Sequence, residues 1–248
     1  MTIRSFAVAA AMLAATAPLG AQELGWRATL QASASVLFGA TSQQLAAGAG
    51  SIARADSALE TDVALQFRYG QSRTEEGDRF VSARAWLAAL SLDARPFATV
   101  SPFVFGRAEH ALEKRIRLRA SGGAGGKWTF ARSPTGEASV SAALLGERTR
   151  ALGDAAPATE SLLRWSLRLK TAHAVGERVT VSHTSFWQPV VNDASRYLLL
   201  STTVAAFGVT DRVSLTLSLV DNYDSEARAR GARSNNDGQF LAGVQAAF

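Results

Sequence analysis

The chain has 248 residues, no cysteine, and 26 lysine and arginine residues against 21 aspartate and glutamate residues. The lack of cysteine excludes a disulfide framework and any cysteine-ligated zinc or iron–sulfur site. Although 47% of the residues are hydrophobic, the one long apolar run is N-terminal, which is typical of neither a disordered chain nor a helical membrane protein. The basic excess is almost all arginine, since lysine occurs only at Lys114, Lys127 and Lys170.

The N-terminal residues have the layout of a secretory signal peptide. Arg4 supplies a positive start, residues 6–17 are apolar, and Pro18 to Ala21 form a small-residue exit. The apolar stretch is shorter than the roughly 20 residues of a spanning helix. The sequence therefore predicts a cleaved signal peptide at residues 1–21, export from the cytoplasm, and a mature domain at residues 22–248.

Most of the remaining chain alternates apolar and other residues with a period of two. In residues 26–38, Trp26 and Phe38 fall on an apolar face, whereas Arg27 and Gln31 fall on a polar one. Successive side chains of a strand point to opposite faces, so this pattern predicts a strand with one apolar side. The same reasoning, with weaker alternation in seven segments, predicts strands at 26–38, 44–54, 59–69, 80–91, 99–107, 115–120, 137–146, 163–170, 178–187, 196–207, 213–219 and 237–248.

The predicted connections alternate in length along the chain. The even-numbered ones are short, at 56–58, 93–97, 133–136, 172–177 and 210–212. Several odd-numbered ones are longer and polar, at 70–79, 147–160 and 221–236. Outer-membrane barrels have an even number of strands, short periplasmic turns and longer outward loops. We therefore expect an all-β fold, a single antiparallel transmembrane β-barrel of about 12 strands in the Gram-negative outer membrane. Ten or fourteen strands would require reassignment near residues 40–56 or 80–107.

The C-terminal residues resemble the signature by which barrel proteins are recognised for membrane insertion. Phe240, Val244, Ala246 and Phe248 are apolar at alternate positions, and Gly243 lies five residues before the end. This pattern predicts an interaction of the last strand with the barrel-assembly machinery. The other expected partners are outer-membrane lipid and lipopolysaccharide.

Aromatic residues are candidates for the girdles that flank the lipid-facing band of a barrel. The five tryptophans and Phe248 are the candidates, and Trp26 and Phe38 lie at opposite ends of one predicted apolar face. The alternative is that they are core aromatics of a soluble barrel.

Several segments resemble a known family. They are Phe38–Thr41, where Ala40 replaces the usual asparagine, then Ser101–Glu109 with Arg119–Gly126, and Leu219–Ser225 with Asp237 and the last strand. On these segments the chain resembles the salt-induced outer membrane proteins, the domain of unknown function 481 family. The resemblance implies an outer-membrane β-barrel and supplies no catalytic residues.

Few residues suggest a catalytic or metal-binding site. The histidines His110, His173 and His183 have no metal-ligand spacing, so we expect no metal and no cofactor. His183 and Ser185 share a strand face and resemble the His-x-Ser pair of outer-membrane lipid A deacylases. Asp193 is the nearest acid downstream, but Phe186 stands where the deacylases have asparagine. A lipid hydrolase is thus one alternative, and a polar pair near the membrane interface is the other.

Two further segments allow competing interpretations. Asp221, Asp224 and Asp237 would form a weak cation site, a pair of catalytic acids, or ordinary turns in which Asp side chains cap the local backbone. Glycines at Gly122–Gly126 favour a strand that bends or approaches another backbone closely over a phosphate-binding loop.

Basic residues recur on the predicted polar faces. If these faces point inward, they line a basic lumen; the candidates are Arg27, Arg68, Arg84, Arg115, Arg117, Arg119, Arg164, Arg168 and Lys170. One interpretation is an anion-preferring porin for small anionic solutes. The other is that these cations pair with Glu60, Asp62, Glu109 and Glu137 and fill a closed lumen. We expect no enzyme and no nucleic-acid partner, but a structural, stress-related or narrow-channel role in the envelope.

Overall fold

The computed structural model describes residues 25–37, 43–73, 78–153 and 159–248. The predicted signal peptide at 1–21 and the Phe38–Thr41 segment lie outside the described residues. Twelve β-strands are formed within them. Their bounds are β1 Gly25–Leu37, β2 Gln43–Ala55, β3 Leu59–Arg73, β4 Arg79–Ala94, β5 Val100–Ala111, β6 Ile116–Ser133, β7 Gly136–Ala151, β8 Thr159–Val175, β9 Val179–Val190, β10 Asp193–Gly208, β11 Val213–Asp224 and β12 Asn236–Ala247.

The twelve strands form one closed antiparallel barrel. Each strand pairs with its neighbours in the chain, and β1 pairs with β12 over residues Thr29–Ala34 and Ala242–Ala247. Closure gives each strand a paired neighbour on both sides, which is what a lipid environment demands of a sheet. The predicted twelve-stranded transmembrane barrel is thereby confirmed. Among the described residues, no helix has the length and apolarity needed to cross a membrane.

The strands reach further into the odd-numbered connections than the alternation predicts. For example, β7 ends at Ala151 and β8 begins at Thr159, because Arg148 and Arg150 are still paired with Ser161 and Thr159. Polar residues assigned to a long loop therefore extend a hairpin. The longest connection is 225–235, between β11 and β12. Below, "loop end" means the end of the barrel with the odd-numbered connections, and "terminal end" means the end with Gly25 and Ala247.

β6 is much longer than the predicted segment 115–120, and it includes the glycine run. At Gly123 an added Cβ would lie 2.2 Å from the carbonyl oxygen of Leu144, and at Gly125 it would lie 2.2 Å from that of Ala142. Both glycines therefore permit a close approach of β6 to β7, as the sequence favoured. Because glycine has no side chain, the glycine run also lacks the apolar–polar alternation from which strands were predicted, so the predicted segment ended at residue 120.

The two faces of the barrel differ sharply in polarity. On β1, Leu30 on the outer face is 60% exposed, whereas Ser33 on the inner face is 1% exposed. The exposed outer residues are mostly aliphatic or aromatic, as expected of a lipid-facing surface. All five tryptophans point outward. Near the terminal end lie Trp26, Trp128, Phe130, Phe207 and Phe248, and nearer the loop end lie Tyr69, Trp86, Trp165, Trp187, Tyr197 and Tyr223.

An arginine on the outer face should destabilise the barrel in a depth-dependent way. Leu65 lies at the middle of β3, so Leu65→Arg is expected to lower the free energy of unfolding by about 2–4 kcal/mol. Leu59 lies on the same face at the end of the strand, so Leu59→Arg should cost only about 0–1 kcal/mol. Urea unfolding in lipid vesicles, followed by tryptophan fluorescence, measures both. Equal costs would contradict a bilayer centred on β3.

Part of the lumen is filled by apolar side chains. Leu45, Ala47, Ala83, Val220 and Leu241 form a buried cluster between β2, β4, β11 and β12. A cavity of about 70 Å³ borders this cluster, and a larger one is lined mainly by β3 to β10.

Candidate functional site

Six of the nine predicted lumen cations point into the barrel. They are Arg27, Arg68, Arg119, Arg164, Arg168 and Lys170, which alternate with outward-facing neighbours on β1, β3, β6 and β8. The other three lie elsewhere, for two reasons.

Arg84 lies on the outer face of β4 rather than in the lumen. It is paired with Tyr69, next to Trp86 on the same exposed face. The inner face of β4 carries Ala85 and Leu87, so both faces are apolar and the alternation is ambiguous. Trp86 faces outward, and Arg84, two residues before it on the strand, therefore takes the same face.

Arg115 and Arg117 are displaced by an irregularity at the start of β6. The register with β7 shifts between Ile116 and Leu118, so Ile116 is fully buried and Arg117 is exposed. Arg115 lies in the preceding turn with φ of 56°, next to Gly153. A β-bulge inserts one extra residue, which reverses the alternation on one side of it.

A network of buried ion pairs crosses the lumen near the loop end. Arg164, only 1% exposed, donates through Nη2 to Glu147 Oε1 at 3.2 Å and to Glu226 Oε2 at 3.3 Å. Arg119 donates through Nη1 to Glu109 at 3.1 Å and through Nη2 to Asp224 at 2.9 Å. The charges on the inner wall are therefore largely compensated at this level.

The β11–β12 connection, residues 225–235, is fixed to this network. Glu226 accepts from Arg196 Nε at 2.8 Å as well as from Arg164, and Arg230 pairs with Asp224. Ala227 is 1% exposed, so the connection packs inward. We call Glu226, Arg230 and their partners Arg164, Arg196 and Asp224 the mouth network, because they hold this connection over the opening at the loop end.

The β5–β6 turn, residues 112–115, also reaches inward. Glu113 pairs with Arg68, and Lys114 lines the lumen beside Glu109. Burial lowers the pKa of Lys114, opposed by the nearby Glu109 carboxylate. Arg68 also donates to Asp237 Oδ2 at 3.3 Å, so it is compensated twice. A second connection thus narrows the lumen.

Below the mouth network lies a cavity of about 280 Å³. Its wall includes Phe103, Phe105, Phe186 and Leu200 together with Arg168. Arg168 Cζ lies 5.5 Å from the ring centroid of Phe103 and 5.9 Å from that of Phe186. Arg107, Lys114 and Arg119 also line the cavity, but Arg107 and Arg119 are paired with Glu109, whereas Arg168 lies among the apolar residues without an ion pair within 4 Å among the described residues. Apolar walls with a few polar groups are typical of small-molecule sites.

Near the terminal end the remaining charges mostly pair. Arg27 lies 3.2 Å from Glu60, and Lys127 Nζ lies 2.7 Å from Asp93 Oδ2. Asp62 forms no ion pair within 4 Å among the described residues, but interacts with Lys170 at longer range. A separate space of about 450 Å³ opens between the turns at 176–178 and 209–212.

The acids that were predicted to pair with lumen cations bind different arginines. Glu60 pairs with Arg27, Glu109 with Arg107 and Arg119, and Glu137 with Arg132 at 3.0 Å. Arg107, Arg132 and Arg196 were missed by the sequence reasoning. Only Arg107 left a usable signal, because it lies two and four residues after Phe105 and Phe103 and so shares their face of β5.

His183 and Ser185 lie on the outer face of β9 and contact no acid among the described residues. His183 Nδ1 lies 2.9 Å from Thr203 Oγ1, and Ser185 is paired with Ser201. Asp193 Oδ1 instead accepts a hydrogen bond from Ser195. The triad geometry of a serine hydrolase is absent from this face, since the base has no orienting carboxylate.

The predicted acidic cluster is dispersed. Asp221 lies on the outer face, Asp224 binds Arg119 and Arg230, and Asp237 pairs with Arg68. Within the described ranges, no group of three or more histidine, aspartate and glutamate residues is placed to hold a metal ion.

The model of the family "Protein of unknown function, DUF481" matches residues 30–248. The chain belongs to this family. The match covers all twelve strands except the first residues of β1. No curated protein sequence matches the chain.

Three solved structures are similar to the chain at low sequence identity. The translocator domain of the autotransporter NalP from Neisseria meningitidis has a TM-score of 0.46 at 14% identity, over 93% of this chain and 90% of that one. The beta domain of the Bordetella autotransporter Brka has 0.43 at 11%, over 90% and 98%. The anion-selective porin from Comamonas acidovorans has 0.38 at 10%, over 91% and 97%. Each TM-score is below 0.5, so the assignment of the fold rests on the family match and on the pairing of the strands.

Proposed function

We propose that this chain is a non-enzymatic, narrow solute path of the outer membrane whose mouth is closed at rest. The observation that carries the proposal is the mouth network, in which Glu226 joins a surface connection to a buried arginine of the wall. A purely structural barrel could fill its lumen with apolar residues. Here the connection is held by ion pairs above a cavity of about 280 Å³, which suits an element that opens and recloses.

The remaining expectations enter the same proposal. Residues 1–21 direct export and are removed, β12 engages the barrel-assembly machinery, and the loop end faces outward among lipopolysaccharide. Short turns at the periplasmic side of outer-membrane barrels support this orientation.

Conductance in planar lipid bilayers tests the channel. We expect the wild-type barrel to give rare, brief openings. Glu226→Ala removes the contacts to Arg164 and Arg196, so it should raise the open fraction about tenfold, the equivalent of one charge-assisted hydrogen bond. Arg228→Ala is the matched control, because Arg228 lies in the same connection with an exposed side chain. A folded barrel without current in all three forms would reject the channel.

An anion-preferring porin is the second candidate. It is favoured by Arg168, which forms no ion pair within 4 Å among the described residues, and by Lys170 on the same inner face. Rings of basic side chains select anions in pores. The reversal potential of Glu226→Ala under a potassium chloride gradient decides this, and cation preference would exclude it.

A further inference from the structure

We infer that the lumen cavity binds a small carboxylate with a flat apolar body, such as an aromatic acid, with its carboxylate on Arg168. The inference deepens the proposed function and rests on it for the route by which the ligand enters.

Arg168 is a cation of the cavity wall that forms no ion pair within 4 Å among the described residues. Its Nη2 donates to Ser141 Oγ at 3.0 Å, while its Nε is buried and has no hydrogen-bond partner. Asp93, an acid that interacts with Arg168 at longer range, is already bonded to Lys127 at 2.7 Å. A buried charge without a counter-ion is costly, so an anion supplied by a ligand would be strongly favoured.

The aromatic neighbours define the rest of the ligand. Phe103 and Phe186 flank the guanidinium at 5.5 and 5.9 Å, which fixes the plane in which a carboxylate must approach. Phe105, Leu198 and Leu200 continue the apolar wall. A planar carboxylate would thus contact apolar residues with its body while the guanidinium binds its head in a bidentate manner.

The cavity volume excludes larger ligands, and the unpaired Arg168 disfavours a cationic group beside it. The cavity volume of about 280 Å³ lies at the lower limit of small-molecule pockets. Four acids also line the cavity, but Asp93 is paired with Lys127, Glu109 with Arg119 and Glu147 with Arg164. The fourth, Asp62, interacts with Lys170, so the repulsion of an anion is reduced at each of them. An acidic sugar would leave Phe103, Phe105 and Phe186 against hydroxyl groups, so an aromatic body fits better than a saccharide.

Calorimetric titration of the refolded barrel in detergent with 2-naphthoate tests the site. We expect saturable binding, with affinity about tenfold or more lower for Arg168→Gln, because the charge-assisted pair is lost. The neutral analogue 2-naphthalenemethanol should bind the wild type more weakly by a similar factor. Arg148→Gln removes a charge from the exposed outer face of β7 and should leave the affinity unchanged.

The outcomes separate this inference from the channel proposal. Absence of saturable 2-naphthoate binding to the folded wild type, or equal affinity of Arg168→Gln, would overturn the carboxylate site. Binding that depends on Arg168 in a barrel without conductance would support the site and reject the channel. Conductance that 2-naphthoate blocks in the wild type but not in Arg168→Gln would support both.

Discussion

Replacing Arg164 by methionine is expected to lower the free energy of unfolding by about 3–5 kcal/mol, the cost of breaking a buried ion pair by removing one partner. Methionine keeps much of the side-chain volume, so the loss is electrostatic rather than a cavity effect. Glu147 would keep only Arg119, at 3.7 Å, and Thr149 at 3.3 Å. Urea unfolding in lipid vesicles, monitored by tryptophan fluorescence, gives the change.

Arg196→Met is the matched control for Arg164→Met. Arg196 binds the same Glu226, but its side chain is 30% exposed, so we expect a cost of about 0–1 kcal/mol. Adding Glu147→Gln to Arg164→Met should recover part of the stability, because it removes the uncompensated carboxylate. The electrostatic account fails if Arg164→Met costs no more than Arg196→Met, or if the second substitution brings no recovery.

Under the proposed function, the mouth network also explains why the closure would use charges rather than apolar residues. A buried ion pair seldom stabilises a protein more than well-packed apolar residues of the same volume would. Its contribution is geometric, since Arg164 must meet carboxylates from both the wall and the β11–β12 connection. A closure built on such contacts has discrete closed and open states, because a released Glu226 regains its hydration outside.

The strand pattern was predictable because lipid imposes it. Each strand needs one apolar face, so alternation alone located all twelve strands. Alternation failed as a guide where the inner face of a strand is itself apolar or is made of glycine. Glycines erased the pattern in β6, and Ala85 and Leu87 blurred it in β4, where Arg84 was misplaced as a result.

The lumen site was less predictable than the barrel. Which face a residue takes is a local property, but its ion-pair partner depends on the register of strands distant in sequence. Arg119 and Asp224, for example, are 105 residues apart. The bulge at Ile116 reversed the face of Arg117, and nothing in the alternation marks a bulge. Sequence could therefore name lumen cations, but not single out Arg168 as the one beside two phenylalanine rings.

Gly243→Ala is expected to impair closure of the barrel itself, by about 1–3 kcal/mol for an overpacked contact. Gly243 faces inward at the β1–β12 seam, where an added Cβ would lie 2.4 Å from Ser33 Cβ and 2.6 Å from the carbonyl oxygen of Ala32. Its place in the C-terminal signature would then reflect packing at the seam as well as recognition. Heat-modifiable migration after refolding into detergent, without any assembly machinery, measures closure.

Two comparisons separate packing from recognition. Gly146→Ala is the control, because an added Cβ there meets nothing within 4 Å, and it should refold like the wild type. Phe248→Ala removes an exposed outer side chain, so it should refold normally in detergent. Under the proposed engagement of β12 by the barrel-assembly machinery, it should fail only in cells. Ser33→Gly should partly rescue Gly243→Ala by relieving the side-chain contact. Normal refolding of Gly243→Ala would show that the seam tolerates a side chain, leaving recognition as its only role.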